Sequence, residues 1–104
     1  MNPKIYQSLG LAKRAGKIVV GETQVVQAIR QQKAKLIILA TDTAATTRKK
    51  IIDKSTFYKV PYREYGTRGQ IGKSIGNDEN VVIALIDVNF ANMISNLCID
   101  DRGL

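Results

Sequence analysis

Histidine and tryptophan are absent from this chain. Without histidine there is no Ser-His-Asp triad, no imidazole general base and none of the usual catalytic zinc sets. A single cysteine, Cys98, allows neither an internal disulfide nor a thiolate metal cluster. It is expected to serve as a small apolar packing residue rather than as a nucleophile. The acidic residues are scattered, and no pair has a spacing that sets both carboxylates on one helix face in a cleft. Long apolar runs are missing too. The longest, Val81 to Ile86, is six residues, where a membrane-spanning helix needs about 20. The opening MNPKIYQSLG lacks the apolar core of a secretory signal. These absences point away from enzymes, metal or cofactor carriers and membrane proteins. They lead us to expect a cytoplasmic protein.

What is present suits one packed domain spanning residues 1–104, with 44% apolar residues. A chain of this length buries roughly 65% of the surface its unfolded form exposes, enough for one modest core. Charge is the stronger signal. Lys and Arg number 16 against 9 acids, a formal +7 with pI near 9.8. Residues 1–75 hold 15 basic and 4 acidic residues, whereas 76–104 hold 1 and 5. Such a field attracts a polyanion and favours a defined orientation of approach.

Helix and strand patterns alternate along the chain. Ile5, Leu9 and Ala12 fall on one helical face over 3–14, and Ala15-Gly16 ends that helix. Lys17 to Val20 reads as a short strand, and 22–32 as a second helix with Val25, Val26, Ala28 and Ile29 inward. Leu36 to Ala40 is a continuous apolar run, the mark of a strand covered on both faces. Asp42 and Thr43 offer cap oxygens to a third helix over 44–58. Val60 to Tyr65 carries Pro61, which suits an edge strand. Thr67-Arg-Gly-Gln70 fits a capping box opening a fourth helix. After the loop Gly76 to Asn80 comes a buried strand, Val81 to Ile86. Asp87 or Asn89 then caps a last helix with Phe90, Ile94 and Leu97 inward. This order predicts an α/β fold, a three-layer α/β/α sandwich on a mixed sheet of about four strands.

Two stretches invite chemistry. The first is Ile71-Gly72-Lys73-Ser74. A phosphate-cradling P-loop needs a glycine five residues before Gly72, but Thr67 stands there and Gly66 is one residue too far. With Thr67 capping the helix, Lys73 lies inside it, away from the open N–H groups a P-loop uses. A surface lysine beside packing glycines is the expected outcome.

The second is VVGETQVVQAIR, residues 19–30. A strand runs into a helix with almost no loop. The first helical N–H groups have no intrahelical partner, and the helix dipole makes this end attractive to acceptors. Gly21 permits close backbone approach. Glu22, Thr23 and Gln24 fill the first turn, and Gln27 follows one turn later. Such amides and hydroxyls can read base edges. Lys13, Arg14 and Lys17, just upstream, could neutralise phosphates. Thr23 and Gln24 could equally just cap the helix, and spacing alone is even between the two.

The chain resembles the ribosomal L-seven-Ae family, which includes kink-turn RNA binders, and within it a branch of small bacterial proteins. LGLAKRAGKIVVGETQVVQAIR (9–30), AKLIILATD (34–42), VPY (60–62) and the stretch from Thr67 to Gly76 carry the resemblance. It implies the same α/β/α sandwich, and RNA binding at the start of the second helix against tandem sheared G·A pairs. The family's usual pattern there is G-x-N-E-x-x-K. This chain keeps Gly21 but has Thr23, Gln24 and Gln27 at the other three positions. A second family surface, the loop before the last core strand, often offers an apolar residue to an extruded base. Here it holds Asn77, Asp78 and Glu79. The resulting expectation is a non-enzymatic, monomeric RNA binder without cofactor. Its partners would be RNA, foremost ribosomal RNA, and ribosomal proteins. A protein-interaction scaffold with weak or no RNA contact is the second reading, and a phosphate-binding enzyme built on Gly72-Lys73-Ser74 the third.

Overall fold

Five helices and four strands alternate in a computed structural model that describes residues 3–101. The side chains of 99–101, in the acidic C-terminal stretch, lie outside the described set. The elements are α1 (Pro3–Arg14), β1 (Ile18–Val20), α2 (Glu22–Arg30), β2 (Leu36–Leu39), α3 (Ala45–Phe57), β3 (Tyr62–Glu64), α4 (Arg68–Ser74), β4 (Val82–Leu85) and α5 (Val88–Asp101). The sheet order is β1-β4-β2-β3. β4 runs antiparallel to both neighbours, and β2 and β3 are parallel. Hence β1, β2 and β3 point one way and β4 the other.

The continuous apolar strands are explained by their two covered faces. Alternate residues project to opposite sides of a sheet. Leu36, Ile38, Ile83 and Leu85 pack with Ile5 and Leu9 of α1, Ile71 of α4 and Ile94 of α5. Ile37, Leu39, Val82 and Ala84 pack with Val25 and Ile29 of α2 and Ile51 of α3. Three helices therefore cover one face and two the other, the expected sandwich. Cys98 is 1% exposed within the first of these clusters, a packing residue as anticipated.

Local signals mostly hold. Gly16, at φ +72°, ends α1. Thr67 and Gln70 form a reciprocal capping box on α4. Asp87 Oδ2 accepts from the Phe90 N–H at 3.0 Å and so caps α5, with Phe90 and Leu97 packed against the core. β3 is an edge strand, but it covers only 62–64, because Pro61 contributes a carbonyl to Ile37 and no donor.

One cap assignment is corrected. α3 starts from Ala44 with no side-chain cap. Asp42 Oδ1 instead accepts the backbone N–H of Arg68 at 2.8 Å, at the start of α4. Thr43 Oγ1 donates to the Ala40 carbonyl at 2.6 Å. A partner 26 residues away outcompetes the local one, a choice that only the sheet's parallel pairing makes available.

Candidate nucleic-acid interface

The end of the sheet where β1, β2 and β3 finish and β4 begins gathers the starts of α2, α3 and α4. Gly21 lies where the edge strand β1 passes into α2, its N–H pointing to the Val82 carbonyl of β4 at 3.4 Å. Its φ of +95° and ψ of 150° are open to glycine and strained for any side chain. A Cβ placed there would meet nothing within 4 Å. The surface above Gly21 is therefore open.

No side chain caps α2. Its first helical bond joins the Val25 N–H to the Gly21 carbonyl at 2.9 Å. The N–H groups of Glu22, Thr23 and Gln24 reach no acceptor among the described residues. The side chains of Thr23, Gln24 and Gln27 are exposed and make no hydrogen bond there either. Thr23 and Gln24 thus do not cap their own helix, which closes the alternative that spacing left open. Gln27, Thr23, Arg30 and Lys50 surround a concavity of about 370 Å³ between α2 and α3. Glu22 is half-buried, and its carboxylate lies 3.5 Å from the Lys50 ammonium. The neighbouring α3 also begins uncapped, so two open helix starts stand side by side.

The loop before β4 borders this site but is strapped down. The Asn77 N–H donates to Gly72 and the Asn80 N–H to Arg68, at 2.8 and 3.0 Å. Asn77 Nδ2 donates to Asn80 Oδ1 at 2.7 Å. Glu79 lies 3.9 Å from the Arg68 guanidinium, so part of the acidic charge is offset within the protein. Asp78 is exposed without an ion pair among the described residues. The loop presents no apolar side chain to solvent.

Sequence reasoning overlooked Arg68. Its guanidinium donates to the Asp42 carbonyl at 2.8 Å, its backbone N–H to the Asp42 side chain, and it approaches Glu79. It ties three connections at this end of the sheet into one frame. Nothing local marks it, since its partners are 26 residues before and 11 after.

The anticipated phosphate-binding residues are not all at this end. Four strand steps, about 13 Å of extended chain, separate Lys17 from Gly21. The Lys17 carbonyl accepts from the Ile86 N–H, at the far end of the sheet. Lys13 and Arg14, exposed in the last turn of α1, flank a groove of about 540 Å³ against Ser74, Ile75 and Gly76. At this end of the sheet Arg48 is engaged with Glu64, Arg68 with Asp42 and Lys50 with Glu22. The two hydrogen bonds from Arg48 to Glu64, at 2.7 and 2.8 Å, hold its guanidinium above its ordinary pKa.

The Gly72-Lys73-Ser74 stretch is not a phosphate cradle. It closes α4 instead of opening it. A Cβ on Gly72 would lie 2.4 Å from Glu79 Cα, so this glycine is there for packing. Lys73 is exposed beside it.

Comparison with known proteins agrees with the architecture. A solved structure from Bacillus halodurans C, described as a protein with unknown function, superposes with a TM-score of 0.90 at 37% identity, over 93% of this chain and 98% of that one. The RNA-binding protein YlxQ of Bacillus subtilis (strain 168) is 46% identical over 88% of this chain and 92% of its own length. The protein of the same name from Enterococcus faecium is 37% identical over 90% of each chain. The large ribosomal subunit protein eL30 of Branchiostoma belcheri is 30% identical over 95% of this chain and 89% of its own. Residues 3–94 match the ribosomal protein L7Ae/L30e/S12e/Gadd45 family, and the chain belongs to it.

Proposed function

We propose that this chain is a non-enzymatic RNA-binding protein of the ribosome or its assembly machinery, reading a bent or bulged, kink-turn-like RNA through the start of α2. The observation that carries this reading is the open first turn: three unpaired N–H donors together with free Thr23, Gln24 and Gln27 side chains. Such a surface offers hydrogen bonds to acceptors and amide edges at the positive end of a helix dipole. RNA exposes base edges where a helix is bent or bulged, and a rigid helix end fits such an opening. Gln27 lacks the charge of the family lysine, but Arg30, without an ion pair among the described residues, lines the same concavity and can meet a phosphate. The names of the YlxQ relatives, and the ribosomal eL30, support RNA and the ribosome as partners in the cytoplasm.

Gln24→Ala and Gln27→Ala test it. Both side chains are exposed and unbonded, so both variants keep the fold. A base-edge contact discriminates by about 1–3 kcal/mol, so affinity for a kink-turn RNA is expected to fall about tenfold in at least one variant. Unchanged binding in both would remove the α2 start from the interface.

The groove between α1 and α4 favours a second reading as a protein scaffold, because Leu11 is 50% exposed on its wall. Pull-downs with and without ribonuclease separate the two. Ribosomal partners retained after digestion support the scaffold.

A further inference from the structure

The opposite end of the sheet, where β1, β2 and β3 start and β4 finishes, carries most of the unneutralised charge. Three helices end there, with Lys13 and Arg14, Arg30 and Lys54 in their last turns. The connections that follow add Lys17, Lys33, Lys35 and Lys59. None of these eight cations has an ion pair among the described residues. The single acid in these turns and connections, Asp87, already accepts from the Phe90 N–H. In sequence the eight are spread over 47 positions, from 13 to 59. The common direction of β1, β2 and β3 brings them to one end.

Phe57 stands at the same end of the sheet. It is 78% exposed, in the last turn of α3 between Lys54 and Lys59. Its ring meets Tyr58 edge-on, with centroids 4.9 Å apart, and Tyr58 is itself packed on the α2/α3 core. A lone exposed Phe needs no explanation. An anchored, exposed aromatic ring at an end of the sheet that carries unpaired cations is the combination that binds single-stranded nucleic acid, the ring stacking a base while lysines follow the backbone.

We propose that this basic end is a second RNA surface, holding a single-stranded segment with Phe57 as the stacking platform. The proposal rests on the RNA-binding reading and extends it to the end of the sheet opposite the start of α2. The protein would then hold two parts of one RNA, a bend at one end and a flanking strand at the other.

The test uses the full chain and two probes, a single-stranded uridine oligonucleotide of about 12 nucleotides and a kink-turn RNA without single-stranded flanks. The variants are Phe57→Ala, the triple Lys33→Gln/Lys35→Gln/Lys59→Gly, and Gln24→Ala as the control for the other end. Lys59 has φ +59°, so glycine there relieves strain as it removes charge and the fold is kept. The oligonucleotide is expected to lose about tenfold or more in affinity with Phe57→Ala. The triple variant should lower its salt slope by about 2. Gln24→Ala should leave it unchanged. Oligonucleotide binding that ignores both basic-end changes overturns the proposal, as does tighter binding to anionic lipid vesicles or to polyglutamate than to the oligonucleotide. If the kink-turn RNA is bound but the oligonucleotide is not, this surface fails while the α2 reading stands. If neither RNA is bound, both fail.

Discussion

Adding one methyl group at Gly72 tests how the loop before β4 is held. In an exposed helix interior, Gly→Ala stabilises by about 1 kcal/mol, because alanine loses less backbone freedom on folding. At Gly72 the new Cβ would stand 2.4 Å from Glu79 Cα, 2.7 Å from its N and 2.8 Å from its carbonyl carbon. All three atoms are backbone, so no rotamer change gives relief. Ordinary contact begins near 3.4 Å, and the segment 77–80 must retreat by about 1 Å. Overpacking of this kind costs about 1–3 kcal/mol. The retreat also stretches two straps, Asn77 N–H to Gly72 and Asn80 N–H to Arg68, each worth about 1 kcal/mol. After the helix gain is set against these costs, Gly72→Ala should destabilise by about 2–4 kcal/mol. Gly69, three residues earlier in the same helix, is the control. Its Cβ would meet only Thr67 Oγ1 at 4.0 Å, so Gly69→Ala should stabilise by about 0.5–1 kcal/mol. Urea unfolding of the two variants measures both. A Gly72→Ala midpoint at or above that of the parent would refute the packing argument.

Other substitutions probe single features. Gly21→Ala should cost about 1–3 kcal/mol from its φ of +95° alone, since the added Cβ touches nothing; thermal unfolding reads this, and a neutral result would show that the junction relaxes freely. For this reason Gly21 variants are poor probes of RNA contact, and Gln24→Ala is the cleaner choice. Thr67→Ala removes half of the capping box on α4 and should cost about 1 kcal/mol by denaturant midpoint. Ser55 Oγ is fully buried with no partner among the described residues, so Ser55→Ala should stabilise by about 1 kcal/mol in the same assay. Lys59→Gly should raise the melting temperature, with loss of any gain counting against strain at that turn.

The sequence by itself determined the element order, the two-sided burial of the central strands and the uncrowded junction at Gly21. These are local properties. Apolar periodicity, a capping box and a glycine between strand and helix follow from residues within a few positions of one another. It also pointed to an RNA-facing role for the start of α2, through family resemblance joined to the chemistry of the first turn. It did not show where the charge goes. Lys13, Arg14 and Lys17 are close upstream of Gly21 in sequence, yet β1 carries Lys17 to the far end of the sheet, where it joins Lys33, Lys35 and Lys59. Asp42 looks like a cap for the helix that follows it, yet it serves α4 through Arg68. Both outcomes depend on strand direction and order. Those are settled by the packing of whole elements against a common core, and only the tertiary structure decides which distant side chains meet at one end of the sheet.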